Sequence, residues 1–458
     1  MYRHKRCSTS DRPASMSSFP ARSSQKKILW LAAVTLLYIF SIVRFDFLQG
    51  PPMWDEIHYW ETSLLFSDDL MPTLSSWQQY GELSTPLPFV IFGGLEYLFG
   101  QGIFAGRLLS LILFMVIAFI VGWPTAERED RSLRCLVGLC LCNSYLALNG
   151  RLYTEMITCT FVLLGFVGYV KQKHVLSALA FIAAIACRQY MIVFPAAIAC
   201  CEFIATRTSS TKQSSKQPIE QQTERSPQLN YWAIHKRWIL PAIATLSLLI
   251  WIYLFKGLAP AWILHESNTP GVQKTIFAID PGGAIHSLAA VGAYIVIPEI
   301  LLFKPKESIR KLLKPQRKIA IIAAVLLFYM ILFPPVLNGL GRLIKTALML
   351  PHPFLAMVLF YVLALLACIR FSEFSLMAVI VLFQTIIMTK AYPWDKYVLP
   401  VAVAFWYLKS YKLEQIFSLS TFSLPTGTRT PPTNEVSTAP SSSELAKIDK
   451  LIDFNSHL

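Results

Sequence analysis

Apolar runs recur along most of this chain, separated by short polar segments, and that alternation limits the fold more than any motif does. A segment needs about 20 mainly apolar residues to cross a bilayer as a helix. The candidate spans are 28–47, 103–123, 134–150, 153–170, 175–190, 191–205, 239–256, 286–303, 319–338, 353–369, 373–389 and 397–409. Only 15% of the residues are charged, against roughly 25% in soluble domains. Backbone polar groups in lipid must be satisfied within a segment, which helices do. The expectation is an all-α, polytopic membrane protein with about 10–13 transmembrane helices.

Basic residues are retained on the cytoplasmic side of a membrane. With the N-terminus inside, the cytoplasmic segments hold Arg3, Lys5, Arg6, Arg12, Arg22, Lys26 and Lys27, then Arg128, Arg131 and Arg134, then Lys171 and Lys173. The loop 304–318 adds Lys304, Lys306, Arg310, Lys311, Lys314, Arg317 and Lys318. External segments receive only scattered cations, among them Arg151, Arg188, Arg342, Lys345, Lys390 and Lys396. The chain then divides into a basic tail 1–27, a transmembrane domain 28–410 and a low-complexity tail 411–458, with both tails cytoplasmic. The first external loop is expected at 48–102, the polar loop 206–238 is expected to be cytoplasmic and disordered, and 445–454 is expected to form a short helix.

The net charge of +14 does not point to nucleic acid, because the cations sit in loops between apolar runs. Of nine cysteines, only Cys7 lies outside an apolar segment, and a buried thiol behaves as a small hydrophobe. No Cys-x-x-Cys pair with a His partner suggests a zinc site. The run at 28–47 reads as a retained signal-anchor.

Between Arg44 and Arg107 the basic chain carries no Lys or Arg, yet it holds Asp46, Asp55, Glu56, Glu61, Asp68, Asp69, Glu82 and Glu96. Residues 54–66 form an amphipathic helix on a wheel. Trp54, Ile57, Trp60, Leu64 and Leu65 share one face, with Asp55, Glu56, Tyr59 and Ser63 on the other. The expectation is an interfacial helix whose carboxylates face an aqueous cavity. Residues 86–100 are too short to span and read as a second interfacial helix. A carboxylate at a membrane-proximal cavity can act as a general base, and Asp55 is the first candidate. The bland alternative is an acidic surface loop of a transporter.

Glu155 is the second acid, at the turn between the third and fourth spans, and either serves the site or pairs with Arg151 four residues earlier. Arg188 closes the fifth span and either binds a phosphate or snorkels to lipid headgroups. Lys396, followed by Tyr397, either holds a leaving phosphate or anchors the last span. His58 is a polar neighbour of Asp55, and no second His lies near it in sequence.

Three stretches resemble the membrane-embedded glycosyltransferases of the GT-C fold, which use polyprenyl-phosphate sugars. They are Trp54-Asp55-Glu56, then Thr85-Pro86-Leu87-Pro88 followed by Gly106-Arg107-Leu108-Leu109, and then Leu176 to Gln189 with its Arg188-Gln189. The second is similar to protein O-mannosyltransferases and aminoarabinose transferases, the third to the dolichyl-phosphate-glucose α-1,2-glucosyltransferase family. The resemblance implies an external cavity in which Asp55 deprotonates an acceptor hydroxyl that attacks the anomeric carbon with inversion. Glu56 and Glu155 would orient the acceptor or support Asp55. Arg188 and Lys396, with Arg151, would hold the donor phosphate, with His58, Tyr59 and Tyr397 in support. The acceptor would be lipid-linked or a glycan. No cofactor is required; a divalent cation between acids and phosphate is compatible, but no ligand set demands one. A bacterial plasma membrane is expected over the endoplasmic reticulum, on the lack of a retention signal. The rival readings are a multi-pass transporter or flippase, with ionisable groups at mid-membrane, and a polysaccharide polymerase of envelope glycan assembly. The polymerase would use a later loop such as 257–285, with His265, Glu266, Lys274 and Asp280.

Overall fold

The computed structural model describes residues 29, 32–33, 35–40, 42, 44, 46–53, 55–68, 71–125, 128, 131–214, 231–265, 269–275, 277–303, 316–337, 339 and 341–417. Its regular elements are helices, with no strand among the described residues. The protein is an all-α polytopic membrane protein. The principal helices are α1 (Glu56–Leu64), α2 (Leu87–Phe99), α3 (Ile103–Gly122), α4 (Arg131–Cys140), α5 (Thr154–Val170), α6 (His174–Cys187) and α7 (Val193–Ser214). They continue with α8 (Tyr231–Leu246), α9 (Gly282–Val291), α10 (Gln316–Leu332), α11 (Pro353–Arg370), α12 (Leu376–Met388) and α13 (Leu399–Ser410).

Among the described residues, five helical stretches are long and apolar enough to span: Ile103–Gly122, Gln189–Thr208, His235–Phe255, Gly282–Leu302 and Pro353–Arg370. The expected spans at 153–170, 175–190 and 373–389 appear as shorter apolar helices. The expected span 134–150 is not one helix. It breaks after Cys140 and resumes as a short helix over Asn143–Ala147. Gly138 lets Trp406 of α13 lie against α4, where a Cβ would stand 2.4 Å from the indole. The described residues of 28–44 are helical and carry exposed Leu29, Leu36, Leu37 and Phe40, as a lipid-facing span requires, and the chain turns at 46–49.

Other boundaries move as well. Helix α7 runs on to Ser214 and α8 starts at Tyr231, so part of the loop expected at 206–238 is helix. Residues 215–230, 304–315 and 418–458 lie outside the described residues, and with them most of the two cytoplasmic loops, the tail and the helix expected at 445–454. Each of the eight cysteines in apolar segments is free.

Helix α5 pairs with α6 and packs against α13, while α9 packs against α11 and α12. The core of α13 is buried on all sides, with Val401, Ala402, Ala404, Phe405 and Trp406 fully covered. A helix apolar all round belongs in such an interior position. Its buried N-terminal turn brings Asp395 and Lys396 to one end of the bundle. At its other end Lys409 bonds Glu299 (2.7 Å) and Glu414 (2.9 Å), and Arg370 holds both Glu299 oxygens.

Candidate functional site

The stretch 86–100 is a helix, as read from the sequence, and α1 packs on it. Gly93 allows this approach, since a Cβ there would stand 2.5 Å from the Ser63 carbonyl oxygen. The contact reverses the expected facing of α1. Glu56, Tyr59, Thr62 and Ser63 are buried, whereas Ile57 and Leu64 are exposed. The polar face points into the protein because Arg107 is there to receive it. Trp54 lies outside the described residues.

Arg107, itself buried, donates to both oxygens of Glu56, at 2.8 Å from Nε and 2.7 Å from Nη2. It also donates to the carbonyls of Leu48, Gly50 and Pro51, while Glu56 accepts from the backbone N–H groups of Met53 and Leu152. Burial alone would raise the Glu56 pKa. The bonds from Arg107, Leu152 and Met53 outweigh it and hold the carboxyl below its usual range. Such charge-assisted bonds are the strong kind. The Glu56 carboxylate is thus occupied in fixing segment 48–56 to α3 and to the turn before α5.

Asp55 is different. It occupies the N-cap position of α1, where Asp ordinarily accepts a bond from the next turn, yet its side chain makes no capping bond. Its backbone N–H donates to the Tyr153 hydroxyl at 3.2 Å. Its half-buried carboxylate lines a cavity of about 590 Å³ together with Asn143, Ser144, Arg342, Lys345, Asp395 and Lys396.

Glu155, Arg188 and Lys396 meet behind that cavity. Glu155 Oε1 is 2.8 Å from Arg188 Nη2 and 3.2 Å from Lys396 Nζ. Arg188 stands in an extended residue between α6 and the 3₁₀ turn Gln189–Ile192, which aims its side chain back at α5. There it also donates to Thr154 Oγ1. Lys396 Nζ lies 3.5 Å from the Trp394 ring centroid and 5.1 Å from that of Tyr153, a cation–π arrangement. Burial pushes the Lys396 ammonium down to about 8, against the pull of Glu155 and Asp55.

The local Arg151–Glu155 pair, open from sequence, does not form. Arg151 Nε donates to the Ala147 carbonyl, and Nη1 stands 3.8 Å from Glu56. Neither Arg151 nor Arg188 lines the cavity. Tyr59 is buried edge-on to Tyr153, and Tyr397 edge-on to Tyr190. His58 points to Glu82, 2.7 Å away, and that bond raises its pKa. In the loop 257–285, Asp280 accepts from the Gly282 N–H at 2.9 Å, and Glu266 lies outside the described residues.

The residues given no role in the site from sequence are Arg107, which figures there only within a resembling stretch, Asp395, Arg342 and Lys345. Asp395 Oδ2 accepts from the Leu343 N–H (2.8 Å) and the Tyr294 hydroxyl (2.7 Å). It thereby holds the short helix Arg342–Leu348 against the turn before α13. Gly341, at φ +126°, is required beside it, because a Cβ would fall 2.4 Å from the Asp395 carboxyl carbon. Arg342 and Lys345 counted only as scattered external cations in the sequence. Their spacing of three residues on a helix that ends in Leu348 and Met349 was the available signal.

Residues 102–266 match the DIE2/ALG10 family. That family is one of membrane glycosyltransferases of glycan assembly, and the match supports a membrane glycosyltransferase here. The matched stretch carries Arg107, Glu155 and Arg188, while Asp55, Arg342, Asp395 and Lys396 lie outside it. No curated protein and no solved structure matches the chain significantly.

Proposed function

We propose that the chain transfers a sugar from a polyprenyl-phosphate donor to an acceptor hydroxyl at this cavity, with Asp55 as general base. One observation carries the reading: an N-cap carboxylate that caps nothing faces a cavity walled by Lys396, Arg342 and Lys345. The acceptor hydroxyl gives its proton to Asp55 as its oxygen bonds the anomeric carbon. The bond from that carbon to the phosphate oxygen breaks, and the electron pair leaves on the phosphate. A single displacement of this kind inverts the anomeric centre.

Negative charge grows on the departing phosphate, so a cation fixed nearby stabilises the transition state more than the ground state. Lys396 is the cation on the cavity wall at the Asp55 side, with Glu155 and Arg188 setting its position from behind. Glu56 acts at one remove, by holding the backbone on which Asp55 sits. The DIE2/ALG10 match favours a dolichyl-phosphate glucose donor and the endoplasmic reticulum over the bacterial plasma membrane.

The test is purified full-length protein offered a panel of polyprenyl-phosphate sugars, comparing wild type with Asp55→Asn. Removing a general base lowers turnover by roughly 10²- to 10⁴-fold. Turnover at the wild-type rate in a folded Asp55→Asn protein would dismiss Asp55 as the base. No transfer from any donor by wild type would dismiss the reaction.

A further inference from the structure

We infer that Arg342 and Lys345 form the binding pair for a hydrocarbon-linked phosphate, gripping it in the cavity that they line together with Asp55. Both residues line the cavity and both are exposed. One helical turn apart, they project from the same side of the Arg342–Leu348 helix. Its other side, Leu343, Ile344 and Ala347, is buried, and the helix packs on α11. The Asp395 bond to the Leu343 N–H fixes the helix against the turn that carries Lys396.

Charge separates this pair from the other cations. Arg107 and Arg151 face Glu56, and Arg188 and Lys396 face Glu155. With Asp55 and Asp395 included, carboxylates balance these four cations. Among the described residues, neither Arg342 nor Lys345 makes a salt bridge or a side-chain hydrogen bond. Two surplus positive charges then face a cavity of about 590 Å³, and they match the roughly two negative charges of a phosphate monoester near neutral pH, the form that a polyprenyl phosphate takes once its sugar has left. Arg adds paired donors suited to phosphate oxygens.

The hydrocarbon is argued from the same helix. Immediately beyond Lys345 it presents Leu348 at 62% and Met349 at 83% exposure, in a protein with membrane-spanning helices. A charged grip beside exposed apolar side chains suits an amphiphile whose phosphate sits in the cavity while its chain remains in the bilayer. The inference rests on the glycosyltransferase reading only in naming that amphiphile a polyprenyl phosphate.

The experiment measures binding of polyprenyl monophosphate, polyprenol and inorganic phosphate to the full chain in nanodiscs of zwitterionic phospholipid. The proteins are wild type, Arg342→Gln/Lys345→Gln, the charge-retaining Arg342→Lys/Lys345→Arg, and Lys274→Gln as a control. Wild type should bind the monophosphate at least ~10-fold more tightly than polyprenol. The double Gln protein should lose that preference, and the charge-retaining and control proteins should keep most of it. An undiminished preference in a double Gln protein with wild-type thermal stability overturns the pair. Equal affinity of wild type for the monophosphate and polyprenol overturns it too, and inorganic phosphate binding as tightly as the monophosphate overturns the hydrocarbon part. Sugar transfer by the same proteins separates the two readings. Binding that depends on the pair without any transfer sinks the glycosyltransferase and leaves the inference standing. Transfer and binding that survive the double Gln change sink the inference alone.

Discussion

Lys396 Nζ stands 3.2 Å from Glu155 Oε1, which ties the turn before the last helix to the first turn of Thr154–Val170. Arg188 reaches the same oxygen from a third segment. The three charges make one unit, and a change in any of them is felt at the cavity wall that Lys396 shares with Asp55.

That unit has a pH signature. Burial holds the Lys396 pKa at about 8, below its ordinary value of 10.5. Between those values the unfolded chain binds the proton that the folded chain has released, so this residue makes stability rise with pH over that window. Activity runs the other way. As pH climbs through about 8, Lys396 loses the charge proposed to face the leaving phosphate, and kcat/KM should fall. A pH profile of transfer checks this. In Lys396→Arg, where the charge persists, the alkaline limb should move up by a unit or more.

Arg107→Ala should be severe although Arg107 does not line the cavity. It would strand the Glu56 carboxylate, whose side chain is 0% exposed, and an uncompensated buried charge costs about 3–5 kcal/mol. Thermal unfolding in detergent should show a large drop in Tm. Arg107→Ala with Glu56→Gln should recover part of it, because the pair is coupled.

Gly341→Ala tests the clasp at Asp395. The left-handed backbone at φ +126° and the Cβ contact with the Asp395 carboxyl both oppose a side chain, and such strain costs about 1–3 kcal/mol. The helix bearing Arg342 and Lys345 should shift. Under the proposed function, donor KM should rise more than global Tm falls. Steady-state kinetics beside a melting curve would show it.

His58 offers a second pH test, on stability alone. Its pKa is raised by the hydrogen bond that it donates to Glu82, with a smaller opposing effect of burial. A raised pKa means that the stabilisation is complete below about 6.5 and is lost as pH rises through the folded value. The Tm difference between wild type and His58→Gln should therefore be larger near about pH 5.5 than near about pH 9. A difference independent of pH would exclude an ionic latch between α1 and the Glu82 segment.

The sequence alone determined the class of fold, because apolar runs of spanning length leave no alternative to membrane helices. It also marked Asp55, Glu155, Arg188 and Lys396 by a simple rule, that charge near a span end is costly and so is kept for a purpose. Helix breaks were less legible. The extended Arg188 depends on what its side chain meets, Glu155 on another helix.

Only the tertiary structure decided how the charges are shared. Asp55 and Glu56 are adjacent and chemically alike, yet one faces a cavity and the other is locked to Arg107. The helical wheel put both toward water, because periodicity reports which side of a helix is polar and not whether that side meets solvent or a buried arginine. The same limit hid Arg342 and Lys345. Their place beside Asp55 comes from one bond between Asp395 and the Leu343 N–H, joining segments far apart in the chain, and no local pattern encodes it.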